Sequence, residues 1–313
     1  MAHQKDIASW LKENEITEVE CLVPDMTGNA RGKFIPAKKF LKADSRLPEG
    51  ILAQTVTGEY SEDFWDLLDT IDGDMILEPD PSTKRLVPWA NENTGQIIHD
   101  CYTKDGKPHP FSSRNLLKQI LALYNKEGLK PVIAPEMEFY LVEQNPNPGM
   151  ALKPPIGRSG RPETARQSYS IDAANEFESF VEGMYGYCDT MNLDIDTLIH
   201  ESGAAQLEVN FIHGDPLSLA DQIFIFKRTV REAALKDGIY ATFMAKPMAT
   251  EPGSATHIHQ SILNKKNKKN IFATSKGEYS DAFYHYIGGL QKYTPYVMSC
   301  LLYTSDAADE GLG

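Results

Sequence analysis

The sequence predicts an α+β protein of two domains, a small β-rich one over residues 1–108 and a larger mixed one over residues 109–302, with an atypical tail at 303–313. Three observations point there. Short alternating strands and turn residues dominate before the Pro-rich Pro108-His109-Pro110, the natural boundary. Beyond it, helices with apolar stripes separate the strands. Three of those later strands set a polar face against an apolar one, beginning with the strand from Pro131 to Val142.

In the first domain, residues 6–13 suit a short helix with Ile7, Trp10 and Leu11 on one face. Glu18 to Val23 alternates as a strand, Pro24 to Asn29 supplies a turn, and Ala30 to Pro36 returns. Arg31 and Lys33 flank Gly32, yet no Gly-rich loop or helix start accompanies them, so a hairpin explains them better than a phosphate site. Pro48 to Pro88 is loop-rich and acidic, with Asp63, Asp66, Asp69, Asp72 and Asp74. Arg85 to Trp89 and Gln96 to Tyr102 read as strands.

In the second domain, Ser112 or Ser113 caps a helix from Arg114 to Lys126 with Leu116, Leu117, Ile120, Leu121 and Tyr124 as its apolar face. Residues 145–168 hold too many prolines and glycines for regular structure, and a loop that long is usually functional. Asp172 opens a helix that buries Phe177, Val181, Met184, Tyr185 and Cys188. Ala205 to Phe211 is a strand, Ser218 caps a helix to Asp237, and Ile239 to Met248 is extended again. After Gly253-Ser254, His257 to Leu263 is extended, and Phe283 to Leu302 is helical.

A net charge of −13 argues against nucleic acid as a partner, because phosphate recognition needs clustered Lys and Arg. The one dense basic run, Lys265-Lys266-Asn267-Lys268-Lys269, reads as a solvated hairpin tip. Cys21, Cys101, Cys188 and Cys300 are far apart and form no CxxC pair, which fits a reducing, cytoplasmic setting. The polar N-terminus has no signal-peptide core, and no run is apolar for long enough to cross a bilayer, so no membrane partner is expected.

The polar strand faces carry the chemistry. Side chains alternate along a strand, so Glu136 and Glu138 share a face opposite Ile133, Met137, Phe139 and Leu141. Neighbouring carboxylates resist joint ionisation and call for a cation, bound protons or water. Gln206, Glu208 and Asn210 form a second such face with Glu201 just upstream, and His257, His259 and Ser261 form a third. Carboxylate oxygens with one imidazole suit Mg²⁺ or Mn²⁺ better than structural zinc, and paired metals can neutralise phosphate oxygens during phosphoryl transfer. Taken alone, two glutamates on a strand are more often an exposed edge, and a histidine pair more often solvent-facing or hydrogen-bonded, than metal ligands.

Taken in order, Pro135-Glu136-Met137-Glu138-Phe139, Glu201-Ser202-Gly203-Ala204-Ala205-Gln206-Leu207-Glu208, Ala241 to Pro247 and Gly253-Ser254-Ala255-Thr256-His257-Ile258-His259 resemble the glutamine synthetase superfamily. Asp25 to Lys33 and Asp74 to Trp89 resemble its small β-grasp domain. Within the superfamily the chain is most similar to the γ-glutamylpolyamine synthetase branch. The resemblance implies a β-grasp-like domain followed by a catalytic domain with a curved antiparallel sheet and flanking helices. It implies one cation held by Glu138, Glu201 and Glu208 and a second held by Glu136 and His257. Asp196 would contact the nucleotide, His259 and Ser261 would line the ATP phosphates, and Gly253 would lie in the glutamate-binding loop. The implied reaction phosphorylates the γ-carboxylate of glutamate with ATP, after which an amine such as putrescine displaces phosphate. Ring-shaped homo-oligomers are implied for the intact family.

Two departures qualify this. Where glutamine-forming relatives carry Asp-Gly-Ser-Ser, this chain reads Gly58-Glu59-Tyr60-Ser61, and the glutamate loop's Asn-Gly is Pro252-Gly253. Both favour an amine other than ammonia. The residues after Leu301 match nothing expected of the family there. The arginines and further glutamates that the family places beyond are absent, so this product is expected to be inactive or nearly so, its ring assembly in doubt. Glutamine synthesis and a catalytically silent, synthetase-like binding protein stay open as alternatives.

Overall fold

The computed structural model describes residues 2–42, 45–60, 73–145, 147 and 149–303. Asp63, Asp66, Asp69 and Asp72 of the acidic loop and residues 304–313 of the tail lie outside the described residues. The chain divides into two compact units, Met1–Ile120 with Asp189–Asn192, and Leu121–Cys188 with Leu193–Gly313. The α+β class is observed.

The first unit is built on a six-stranded sheet of β1 (Glu18–Pro24), β2 (Ala30–Pro36), β3 (Ser45–Pro48), β4 (Asp74–Pro79), β5 (Arg85–Leu86) and β6 (Thr94–Tyr102). The order is β2-β1-β6-β4-β3, with β5 also on β6; β1 and β6 run parallel and every other pair antiparallel. Helix α1 (Ala2–Glu13) places Ile7 and Leu11 against Val19, Cys21 and Ile97, with Phe40 from the short α2 (Ala37–Phe40). The β1–β2 turn is fixed by Asp25, whose carboxylate accepts from the Thr27 and Asn29 amides and pairs with Arg31 at 2.7 Å. Arg31 is therefore engaged within the hairpin.

Helix α3 (Ser113–Lys126) differs from its predicted burial. Leu116 and Ile120 are exposed, while Arg114 and Asn115 are buried. Ionic and polar anchoring overrides the apolar stripe: Arg114 pairs with Asp80 and Asp100, and the Asn115 amide donates to the Cys101 carbonyl.

The second unit holds a five-stranded antiparallel sheet of β7 (Leu129–Val142), β8 (Ile195–His200), β9 (Gln206–Phe211), β10 (Tyr240–Thr242) and β11 (Thr256–Asn264), in the order β10-β7-β9-β8 with β11 also on β7. The predicted strand from Ile239 to Met248 is only the three residues of β10. The helix expected from Asp172 is two, α4 (Ile171–Asn175) and α5 (Glu178–Met191). Helix α6 (Pro216–Lys236) is capped by Asp215 rather than Ser218: the Asp215 side chain accepts from the Leu217 and Ser218 amides, and Pro216 takes the first-turn position where no amide donor is needed. Helix α7 (Asp281–Tyr303) closes the described chain. The Lys265–Lys269 run forms the tip of a turn closed by Leu263 and Asn270, as predicted.

The apolar side of β7 is the core of this unit. Phe139 is fully buried, with ring centroids 5.4 Å from Phe243, 6.1 Å from Phe180 and 6.3 Å from Phe226. Replacing Phe139 by Leu removes these ring contacts and leaves a small void, an expected loss of about 1–2 kcal/mol in urea denaturation. An unchanged midpoint would show that the aromatic cluster is not what holds β7 to its helices.

Candidate functional site

Strand register assembles the polar face. Along β7, Glu138 stands opposite Glu208 and Glu136 opposite Asn210 on β9, while Glu136 stands opposite His257 on β11. Cross-strand partners project to the same side, so Glu136, Glu138, Glu208, Asn210, His257 and His259 share one surface. Three segments distant in sequence thus meet there because Phe139, Leu207 and Val209 must all point the other way, into the core.

The side chains converge further. One ligand atom each from Glu136, Glu208 and His257 lie within 4.8 Å of one another. His257 Nδ1 is 3.3 Å from Glu136, 3.9 Å from Glu138 and 4.0 Å from Glu208. His259 Nε2 meets the other Glu136 oxygen at 2.9 Å. Glu138 and Glu208 are buried, whereas the His257 side chain is 57 % exposed, so the cluster opens on the histidine side.

Repulsion between these carboxylates is visible in their acidities. Burial pushes Glu208 up to about 7, reinforced by Glu136, Glu201 and Glu138 and opposed by His257. Burial also raises Glu138; the Ala255 amide opposes it, and the charges of Glu201 and Glu136 add to it. Glu201 therefore acts on both residues through its field, while its own Oε2 accepts from the Ser202 amide at 2.9 Å.

Gln206 ties the face together. Its Nε2 donates to Glu138 Oε2 and to the Gly253 carbonyl, each at 3.0 Å, and its Oε1 accepts from the Gly203 amide at 2.8 Å. The Tyr140 hydroxyl donates to the Pro252 carbonyl at 2.6 Å, so the Gly253 loop is held to the cluster twice. A Cβ at Gly203 would fall 1.9 Å from the Tyr140 hydroxyl oxygen. Gly203→Ala should therefore displace Tyr140 and free the loop, read as faster protease cleavage near residue 253. Unchanged cleavage would refute the coupling.

The predicted residues divide. Glu136, Glu138, Glu208 and His257 are brought together, with His259 bonded to Glu136 and Glu201 within their field. Ser261 stands on β11 opposite Val132, two pairs beyond His259. Asp196 is exposed at the irregularity of the β8–β9 pairing and lies outside the cluster of converging ligand atoms. Sequence reasoning placed Gln206 on the face but gave it no role, and it missed Tyr140 and Glu163 entirely. Tyr140 shares the alternation of Glu136 and Glu138, which is a usable signal; Glu163 lies in an irregular loop and has none.

The donor set fits a hard divalent cation. Ligands of one Mg²⁺ or Mn²⁺ stand up to about 4.2 Å apart, twice a bond of about 2.1 Å, so the observed spacing closes onto an ion with side-chain shifts of a few tenths of an ångström. A cation would also relieve the repulsion that raises Glu208.

Residues 110–305 match the family model described as glutamine synthetase, catalytic domain. The chain is 32% identical over 275 residues to a glutamine synthetase of Pyrococcus abyssi, covering 88% of this chain and 57% of that protein. It is 30% identical over 312 residues to the γ-glutamylputrescine synthetase of Escherichia coli K12, covering 96% of this chain and 64% of that one. A solved structure of ligand-free GmaS superposes with a TM-score of 0.75 at 25% identity, over 92% of this chain and 64% of that chain. A glutamine synthase homolog superposes at 0.70 with 19% identity over 83% of this chain and 58% of that chain, a likeness of fold alone. The chain thus spans between 57% and 64% of the length of these curated relatives.

Proposed function

The chain belongs to the glutamine synthetase family, and from that premise we propose that it is the cation-binding and nucleotide-binding part of an ATP-dependent ligase that joins the γ-carboxylate of glutamate to an amine. The observation that carries this reading is the convergence of Glu136, Glu208 and His257 on one sheet face beside Glu138. Glu136, Glu138, Glu208 and His257 would hold Mg²⁺ or Mn²⁺, which would supply positive charge against phosphate oxygens in phosphoryl transfer. Glu138 and Glu208, with Glu201 in their field, serve one cation; Glu136 with His257 serves the other. His259 and Ser261 continue the same strand face toward the phosphates, and Asp196 contacts the nucleotide from β8. The Gly253 loop receives glutamate, positioned by Gln206 and Tyr140.

The amine we favour is a polyamine such as putrescine. The relative that acts on putrescine by its name aligns over 96% of this chain, against 88% for the Pyrococcus abyssi glutamine synthetase. Gly58-Glu59-Tyr60, part of a small turn in which Thr55 bonds to Glu59, also stands where an ammonia enzyme carries a different acidic motif. Ammonia is the second reading, favoured by the 32% identity to the Pyrococcus abyssi enzyme.

Calorimetric titration of the purified chain with Mn²⁺ tests the site, and saturable binding that His257→Ala weakens is expected. Heats indistinguishable from dilution would reject it. Phosphate release with ATP, glutamate and either putrescine or ammonia is expected to stay near background, in keeping with the inactivity expected of this product; release above background would overturn that inactivity, and more with putrescine would support the polyamine. More release with ammonia would favour the second reading.

A further inference from the structure

Four consecutive amides in the turn between β8 and β9 each donate to a side-chain oxygen. Ser202 donates to Glu201 at 2.9 Å, Gly203 to Gln206 at 2.8 Å, Ala204 to Glu251 at 3.2 Å and Ala205 to Glu163 at 2.6 Å. Glu163 comes from the long irregular loop before α4. Its Oε2 also meets His200 Nε2 at 2.9 Å, with the side chains 6 % and 0 % exposed. His200 Nδ1 faces the Glu201 carbonyl at 2.7 Å, so both ring nitrogens face oxygen acceptors and the ring links Glu163 to the backbone of Glu201.

Two features show that this pair is more than packing. Glu163 Oε1 is buried with no hydrogen-bond partner among the described residues, a desolvation cost with no local return. Ala205, whose amide Glu163 holds, has φ 59°, a left-handed conformation that residues with a Cβ avoid. That conformation sends the next residue, Gln206, across to Glu138 and the Gly253 carbonyl. It also lets the Gln206 carbonyl accept from the Glu201 amide at 2.8 Å.

We propose that Glu163, acting with His200, is a positioning residue for the cation face: it holds Ala205 left-handed so that Gln206 and Glu201 meet the carboxylate cluster. The role rests on the cation-site reading given above. Glu163 touches no cluster carboxylate itself; it acts through the turn.

The experiment is Mn²⁺ titration of the purified chain and its variants, at a temperature where circular dichroism shows each one folded. Glu163→Asp keeps the charge but withdraws the oxygen by one methylene, and it should weaken Mn²⁺ affinity about 10-fold, as losses of groups that orient metal ligands do. Glu163→Gln keeps an acceptor for the Ala205 amide at full reach, and its affinity should stay within about threefold of the parent. Glu178→Gln breaks an exposed ion pair with Arg158 and should change nothing. The electron paramagnetic resonance spectrum of bound Mn²⁺ should alter in the Asp variant and not in the Gln variant. Parent affinity in Glu163→Asp, or a Gln variant weaker than the Asp variant, would overturn the positioning role alone. No Mn²⁺ binding by the parent chain would overturn the site reading and the positioning role together.

Discussion

Glu208→Gln is expected to remove the Mn²⁺ site that Glu208 shares with Glu138, leaving the one at Glu136 and His257, and, in the same protein, to raise thermal stability at pH 8. The two effects share one cause. The Glu208 side chain is 7 % exposed and stands among Glu136, Glu138 and Glu201. Its acidity is displaced from 4.5 to about 7, first by burial and then by those charges. A carboxyl whose folded pKa is raised favours the folded state while protonated. That contribution is full below the unfolded value near 4.5 and is lost as pH rises through about 7. The cation-free parent should therefore lose stability between about pH 5 and 8, by about 1–2 kcal/mol after solvent screening at the open side. Gln keeps the shape without the titration, so the variant should melt higher at pH 8 and no higher at pH 5. Saturating Mn²⁺ should restore the parent at pH 8 by mass action and raise the variant less, since only the cation at Glu136 and His257 is left to it. A variant that melts lower than the parent at pH 8 without metal would refute the repulsion on which the site reading depends.

The same cluster shows how far the sequence could be read. Period-two alternation is binary, so once β7 was recognised as a strand, Glu136 and Glu138 had to lie opposite Phe139. Which residue of β9 or β11 stands across from each was not legible, because register is set by the turns and core packing that join strands distant in sequence. The resemblance assigned Glu136 and Glu208 to different cations; that His257 Nδ1 stands 3.3 Å from one and 4.0 Å from the other is a spacing no one-dimensional pattern encodes. Gln206 sat visibly on the polar face, but its bond to Gly253 joins residues 47 apart. Glu163 was hidden for a different reason: an irregular loop has no periodicity to betray a buried residue. In α3 the apolar stripe misled, since Leu116 and Ile120 are exposed while charged and amide groups bury the opposite face. Asp215-Pro216 was a better helix start than Ser218, and it was legible, since Pro at the first helical position follows its cap.

That inversion in α3 carries the second large effect: Arg114→Met should cost the first unit about 3–5 kcal/mol at pH 7. The guanidinium is 3 % exposed and binds two carboxylates at once, Asp80 at 2.7 Å and Asp100. Burial alone would raise the Asp80 pKa, but hydrogen bonds from Ser82 and Arg114 outweigh it and hold the group well below the usual carboxylate range. Met preserves length and apolar contact while removing the charge, so the loss measures two largely buried carboxylates, 18 % and 11 % exposed, left without the guanidinium. Lys118 also contacts both, yet at 34 % exposure it is free to hydrate, and Lys118→Met should cost no more than about 1 kcal/mol. The sign with pH follows from the depressed Asp80: its stabilisation is present above the unfolded value of 3.8 and fades as pH falls through the folded one. The gap between parent and Arg114→Met in urea denaturation should accordingly be full at pH 7 and narrow below about pH 4. Equal costs for Arg114→Met and Lys118→Met would mean that the carboxylates are satisfied by solvent, and that α3 is held by its half-buried leucines after all.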